Sequence, residues 1–286
     1  MTAGAVVVTG SGSGIGAITA VTLAQRGYPV VASVRSPDRA AELTELSRRA
    51  GVTVDVDRLD VTDDAAIPGF IDGVVARHGG LHAIVSNAGV TGIGTFEDED
   101  IASYRRVFDV NVFGPVLLLK TALPHLRAAG GRFVAVGSIA GVVGLPFQES
   151  YSGSKFALEG ILESYAHVAR HVGVSVSIVA PGPVSTDGAQ EQDWPRIFAG
   201  AGPYEKLLRQ YVGNAAAAGF PGLPAIQTAA EVAAAVADVL AADDPPLRYP
   251  TSPSARAFLA AKLADVSGDA AAALIAGWLT AESAAE

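Results

Sequence analysis

Apolar and polar positions fall into short blocks along the first two-thirds of the chain, and the blocks alternate between two periods. Ala5–Thr9 is a brief apolar run, as expected of a strand buried on both faces. A glycine-rich turn then leads into a helical pattern near Ile15–Arg26, ended by Gly27. Pro29–Ser33 is a second apolar run, and Asp38 is placed to cap a helix through about Arg49. Val52–Asp57 alternates and is β-branched. Asp63 caps a helix ending near His78-Gly79-Gly80, and Leu81–Ser86 is a fourth strand. A long helical pattern spans about Ala102–Ala128, interrupted near Gly114-Pro115. The strand Arg132–Gly137, the helix Tyr151–His171 and the strand Val174–Ala180 complete the series. Strand–helix alternation at this spacing predicts an α/β fold, a doubly wound parallel sheet with helices on both faces.

The pattern changes after Ala180. Val184–Pro224 is rich in Gly, Pro and Ala and carries Trp194, Phe198, Tyr204, Tyr211 and Phe220. It reads as a long substrate loop, since loops of that length in compact domains are usually functional. Ala215–Ala242 reads as loop and then helix, and residues 225–286 as a C-terminal extension. With neither an internal repeat nor a linker in view, residues 1–286 are expected to form a single domain.

Composition narrows the functional classes. Hydrophobic residues make up 50% and charged residues 17% of the 286, which excludes a mainly disordered chain. A net charge of −9 without a basic run argues against a nucleic-acid partner. The absence of cysteine removes disulfides, thiol nucleophiles and thiolate metal sites, and fits a reducing cytoplasm. No basic segment leads into an apolar one at the N-terminus, so no secretory signal is expected. No uninterrupted apolar stretch reaches about 18 residues, so no membrane span is expected and the location is read as cytoplasmic.

Residues 9–16, Thr-Gly-Ser-Gly-Ser-Gly-Ile-Gly, lie between the first strand and the first helix. Glycines there let the backbone turn tightly and approach a pyrophosphate seated at a helix N-terminus. A P-loop is excluded because no Gly-Lys-Ser/Thr follows. The spacing is Thr-Gly-x-x-x-Gly-x-Gly, carried by Thr9, Gly10, Gly14 and Gly16. In chain order come Asp60-Val61, Ser86-Asn87-Ala88-Gly89, Asn111, Ser138, Tyr151-Ser-Gly-Ser-Lys155 and Pro181-Gly182-Pro183-Val184-Ser185-Thr186. Through these motifs, over roughly residues 5–186, the chain resembles the short-chain dehydrogenase/reductase family. Gly-Leu-Pro-Phe before Tyr151, Lys-Phe-Ala-Leu-Glu-Gly after it and Leu247-Arg248-Tyr249 resemble its hydroxysteroid and retinol dehydrogenase branch.

The resemblance implies a Rossmann fold and hydride transfer between a nicotinamide and a secondary alcohol/ketone pair. It implies that Tyr151 exchanges the proton, Ser138 holds the substrate oxygen, and Lys155 holds the nicotinamide ribose. Asn111 would hold a water linking Lys155 to solvent. Tyr151 and Lys155 are four apart on a predicted helix and so share a face. A nearby ammonium and an oxidised nicotinamide are expected to lower the phenol pKa. The implied cofactor residues are Gly10, Ser11, Ser13, Gly14, Ile15, Gly16, Arg35, Ser36, Asp60, Val61, Asn87, Ala88, Gly89, Tyr151, Lys155, Pro181, Gly182, Val184 and Thr186. Two departures concern cofactor affinity: Gly12 stands where many members have Ser, and Ser86 replaces the first Asn of Asn-Asn-Ala-Gly. The family forms dimers or tetramers through the two long helices, here those bearing Asn111 and Tyr151, so a homo-oligomer is expected.

NADP(H) is the expected cofactor, with NAD(H) as the alternative. NAD sites usually place an acid at the end of the second strand to accept the ribose 2′-hydroxyl. Val34 stands there instead, followed by Arg35 and Ser36, which suit a 2′-phosphate. Leu145, Phe147, Val184, Trp194 and Phe198 are expected to line one cleft for a bulky hydrophobic, steroid-like substrate. Other patterns carry less. Ser152-Gly-Ser-Lys155 fits a Ser-x-x-Lys hydrolase motif, but its partner motifs Ser-Asp-Asn and Lys-Thr-Gly are missing. His167 and His171 are four apart but lack further ligands, so no metal site is expected, and Glu97–Asp100 reads as acids before a helix. The alternative to an enzyme is a catalytically silent cofactor-sensing regulator, which loss of the tyrosine, lysine or serine would favour; all three are present.

Overall fold

A computed structural model of the chain describes residues 4–185, 193–216, 222 and 225–280. The strands β1 (Ala5–Val8), β2 (Val30–Val34), β3 (Asp55–Arg58), β4 (Leu81–Ser86), β5 (Arg132–Val136), β6 (Ser175–Ala180) and β9 (Arg248–Pro250) form one sheet in the order β3-β2-β1-β4-β5-β6-β9. Every neighbouring pair is parallel, and β1 is buried along its whole length, as its unbroken apolar run requires. The strand order reverses between β1 and β4, where open α/β sheets leave a crevice beyond the strand ends.

Helices cover both faces. On one side α1 (Gly14–Gln25), α2 (Ala41–Ala50) and α9 (Ala229–Ala241) bury Leu23, Leu43, Val232, Val236 and Leu240 against the strands. On the other, α3 (Ala66–His78), α5 (Gly114–Ala129) and α6 (Glu149–Ala169) bury Ile71, Leu118, Leu126, Leu158 and Leu162. Each such side chain contributes about 1.5–3 kcal/mol by leaving water. A third apolar cluster joins the turn after β5 to α8 (Glu205–Ala216), α10 (Pro253–Ala264) and α11 (Asp269–Thr280), through Ile139, Phe147, Leu208, Phe258 and Trp278.

Several elements differ from the sequence expectation. The strand expected at Val52–Asp57 begins at Asp55; Val52 and Val54 instead pack under the α1 face. Asp38 lies inside a 3₁₀ turn, Pro37–Ala40, rather than capping a helix. The interruption near Gly114-Pro115 is a π-turn, Asp109–Phe113, joining α4 (Ile101–Phe108) to α5 without a break. The joined run Ile101–Ala129 is long and apolar enough, by length and composition, to cross a membrane, which no uninterrupted stretch of sequence had indicated. Here it is a helix of the sheet's flanking layer, with Leu118, Leu119, Ala122 and Leu126 buried.

The expected loop at Val184–Pro224 is largely helical where it is described. It contains α7 (Trp194–Gly200) and α8, while β7 (Val184–Ser185) pairs with β8 (Gln227–Thr228). The prolines misled because Pro195 sits in the first turn of α7, where its missing N–H is harmless, and Asp193 caps that helix. The strand β9 is only three residues long, ends in proline and lies on the sheet edge, so it carries no periodic signal.

Candidate active site

The ends of β1, β4, β5 and β6 converge on the crevice. After β1, Gly10 and Gly14 take positive φ (66° and 55°), a turn that side chains resist. A Cβ on Gly16 would lie 2.3 Å from Gly10 O, and one on Gly10 would lie 2.7 Å from Ala88 Cα, so the turn and the end of β4 touch backbone to backbone. Thr9, buried, ties them: its Oγ1 accepts from Asn87 N (3.0 Å) and Ala88 N (3.1 Å). The Asn87 Nδ2 donates to Thr9 O at 2.9 Å and Gly10 O at 3.1 Å. Thr9 opens the glycine motif, yet nothing in the motif distinguishes this bracing from ligand contact.

Beyond this turn, the N-terminus of α1 is uncapped by Ser13, whose side chain is exposed. The first N–H groups of a helix favour anions. The Glu42 carboxylate takes one of them, accepting from Gly14 N at 3.2 Å. Ser11 departs from expectation. It is buried and its hydroxyl donates to Val8 O at 2.8 Å, so it braces the turn rather than offering a donor to phosphate. The missing Ser at position 12 also has a local cause: a Cβ there would sit 2.6 Å from Arg39 O.

At the end of β2, Val34 is buried and Arg35 is exposed. Among the described residues no ion pair joins Arg35 to Asp38. The Ser36 hydroxyl bonds Asp38 and holds its carboxyl below the usual range, with help from its own backbone N–H and the Arg39 charge. Arg35 and Arg58 lie near Asp60. Burial would raise Asp60, but hydrogen bonds from Thr62 N (3.0 Å) and Oγ1 (2.8 Å), with the two guanidinium charges, outweigh it and lower the carboxyl. Val61, next in the chain, is buried against Gly114.

The second half of the crevice collects Asn111, Ser138, Tyr151 and Lys155. The π-turn points Asn111 inward, where it is 1% exposed. Its Oδ1 accepts from Val90 N (2.9 Å), and its Nδ2 donates to Val90 O (2.9 Å) and Ser154 Oγ (3.0 Å). Ser154 in turn donates to Tyr151 O at 2.7 Å, linking Asn111 to the turn of α6 that carries the tyrosine. Sequence reasoning passed over Ser154, although it precedes the lysine of the motif. A Cβ on Gly89 would be 3.3 Å from Asn111 Oδ1 and 3.9 Å from Lys155 Nζ, so Gly89 keeps this corner open. Ser138 caps the turn after β5, its Oγ accepting from Ala140 N at 3.0 Å. Ile139 N donates to Pro181 O at 2.9 Å, which joins the ends of β5 and β6.

Lys155 is buried, donates from Nζ to Val136 O at 3.0 Å and lies 5.7 Å from the centre of the Tyr151 ring. Burial pulls its pKa down to about 8. The expected lowering of the Tyr151 phenol is reversed in the protein alone: burial pushes it up, with the Ser138 hydroxyl opposing. The ammonium that was to lower it is itself weakened by burial and is engaged by a carbonyl.

Of the five residues expected to line one cleft, four gather and Val184 stands apart. Leu145, Phe147 and Phe198 belong to the third apolar cluster, and Trp194 stacks on Phe198 with ring centres 5.8 Å apart. Val184 packs instead with the α9 layer. Pro181 is buried, Gly182 is half-buried, and Thr186 lies outside the described residues. His167 and His171 are exposed, and no metal-holding cluster occurs among the described residues. Asp100 caps α4, accepting from Ser103 N at 2.8 Å, but Glu99 does more than precede a helix. It accepts from Ser150 Oγ at 2.5 Å, one residue before Tyr151.

A family model described as short chain dehydrogenase matches residues 4–195. The chain is 34% identical over 280 residues to retinol dehydrogenase 8 of Bos taurus, across 92% of this chain and 86% of that protein. It is 32% identical over 284 residues to 17-beta-hydroxysteroid dehydrogenase type 1 of Homo sapiens, across 92% and 82%. A crystal structure of a metagenomic short-chain oxidoreductase in complex with NADP is 34% identical, with a TM-score of 0.59 over 63% of this chain and 83% of that one.

Proposed function

This chain belongs to the short-chain dehydrogenase family and is an NAD(P)-dependent oxidoreductase; from that premise we propose that it interconverts bulky apolar ketones and secondary alcohols with NADP(H). The convergence of Ser138, Tyr151, Lys155 and Asn111 at the strand ends carries the reading. The crevice where the strand order reverses fits a dinucleotide, because Ser13 leaves the first turn of α1 uncapped beside it, with Gly14 N taken by Glu42. Gly10, Ser13, Gly14, Ile15 and Gly16 would hold the pyrophosphate. Asp60, Val61, Asn87, Ala88 and Gly89 would flank the adenine and ribose, and Pro181, Gly182, Val184 and Thr186 the nicotinamide end. A bound nicotinamide supplies or accepts the hydride.

The chain's own part is positional and acid–base. Ser138 Oγ donates to the substrate oxygen. Tyr151 gives its phenolic proton to that oxygen during reduction and takes it back during oxidation. A phenol held up by burial gives up its proton reluctantly until positive charge approaches. Lys155 provides that charge once its ammonium turns from Val136 O toward the ribose and phenol. Asn111, fixed by three hydrogen bonds, holds the π-turn open beside Lys155 for water.

NADP(H) is favoured by Arg35, exposed and free of Asp38, beside a β2 end without an acid; the relative solved with NADP supports this. The apolar cluster around Phe147 and Phe198 supports a bulky substrate, as do relatives named for retinol and a hydroxysteroid. Self-association is proposed through the joined run Ile101–Ala129 and α6, where Phe113 in the π-turn and Phe156, Ile161 and Val168 on α6 are exposed. The test is kcat/KM for a decalone or steroid ketone against acetone and a keto acid, with NADPH and NADH in parallel. Higher kcat/KM for the bulky ketone with NADPH supports the reading; preference for the small acid, or for NADH, overturns it.

A further inference from the structure

The helix α8 bears on the start of α6 through one buried side chain. Tyr211 is 3% exposed, and its hydroxyl accepts from Gln148 Nε2 at 2.9 Å. Gln148 is the residue from which α6 starts, three before Tyr151. The Tyr211 ring also meets Phe147 edge-on, with centres 5.6 Å apart at 61°. Phe147 is the one described non-glycine residue with positive φ, at 59°. A bulky residue holds that conformation only where its surroundings over-determine it, and such residues cluster at functional sites. Phe147 is held from both ends: Gly94 N donates to its carbonyl at 3.0 Å, and Tyr211 packs on its ring.

One turn further along the same face, α8 is anchored as firmly. Asn214, 4% exposed, donates from Nδ2 to Trp278 O at 3.2 Å. Trp278 is fully buried and stacks on Phe258, with centres 6.1 Å apart. A continuous set of contacts therefore runs from α11 through α8 to the turn carrying Tyr151. Burial pushes the Tyr211 phenol up to about 12 against the Gln148 bond, so it stays neutral at ordinary pH.

We propose that Tyr211 is a specificity-setting latch. By bonding Gln148 and bracing Phe147, it fixes the apolar α7–α8 wall at one distance from Tyr151 and so selects bulky ring ketones. This rests on the proposed function for the identity of the substrate, though not for the latch itself. The central variant is Tyr211→Phe, which keeps the ring and loses the bond. Amide hydrogen exchange on the protein without substrate is the first readout. Residues 194–216 are expected to exchange about fivefold faster, with β4 and β5 unchanged, as for loss of one hydrogen bond from a locally opening unit.

Gln148→Ala removes the other partner and should reproduce the effect, and the double variant should add nothing further. Unchanged exchange in 194–216, equal acceleration in the sheet, or an additive double variant overturns the latch. The second readout is selectivity. In Tyr211→Phe, kcat/KM for a decalone should fall about tenfold through KM. The value for cyclohexanone and the NADPH Kd should stay within about twofold. Equal losses for both ketones overturn the specificity assignment. Wild-type protein that turns over no ketone with either cofactor contradicts the proposed function, while the exchange result still decides the latch.

Discussion

Lys155 shows how a single buried charge shapes both stability and chemistry. Its folded pKa is about 8, against about 10.5 for an exposed lysine. Between those values the unfolded chain binds more protons, so this group makes stability rise with pH across the window. Below about 8 the penalty is fully present and is on the order of 3 kcal/mol. Relative to wild type, Lys155→Met should lose its advantage as pH climbs from 7 to 10.5, measured by urea unfolding of the protein without cofactor. A difference that is flat with pH would show that the ammonium is not penalised by burial. Arg35 is the second decisive residue. Arg35→Ala should weaken NADPH binding about tenfold, as for loss of a charge-assisted bond, and leave NADH within about twofold. Val34→Asp should move the preference toward NADH by repelling the 2′-phosphate. Direct titration by nucleotide fluorescence reads both, and equal losses for the two nucleotides in Arg35→Ala would contradict phosphate recognition.

At the scale of elements, the glycine turn is fitted to its neighbours rather than to a family pattern. Gly12→Ser restores the residue common in the family, but here it drives a Cβ toward Arg39 O, 2.6 Å away. It should lower the Tm and weaken cofactor binding; a gain in affinity would mean that the turn from Pro37 to Ala40 yields freely. The sheet strands β1, β2, β4, β5 and β6 were legible because each is a short apolar run bounded by turn residues. Tyr151, Lys155, Ser138 and Asn111 were legible through the resemblance to the family's motifs, with the four-residue spacing of Tyr151 and Lys155 placing those two on one helix face. The rest depended on contacts distant in sequence. Ser11 and Ser13 look alike in the sequence, yet one hydroxyl is buried on Val8 O and the other is exposed. The Arg248–Glu159 ion pair, which joins β9 to α6, links residues 89 apart and leaves no local trace. The helices α7 and α8 were hidden by prolines and glycines that serve as starts and stops rather than as loop.

Across the whole molecule, the layer bearing α5 and α6 exposes Phe113, Phe156, Ile161 and Val168 while its inner side is filled. Exposed apolar residues gathered on helices of this kind mark association surfaces. Ile161→Asp, exposed at 41%, should leave the fold intact and shift the protein to monomer in light scattering at micromolar concentration. Wild type that is already monomeric there would remove the proposed interface.

The proton transfer at Tyr151 is tested most directly by Tyr151→Phe, with NADPH binding and single-turnover ketone reduction measured on the same sample. The ring still packs, so the NADPH Kd should change by no more than about twofold. The reduction rate should fall at least about 10²-fold, the scale of lost general acid catalysis. Near-normal reduction by Tyr151→Phe, with NADPH bound as in wild type, would contradict the role of Tyr151 as proton donor.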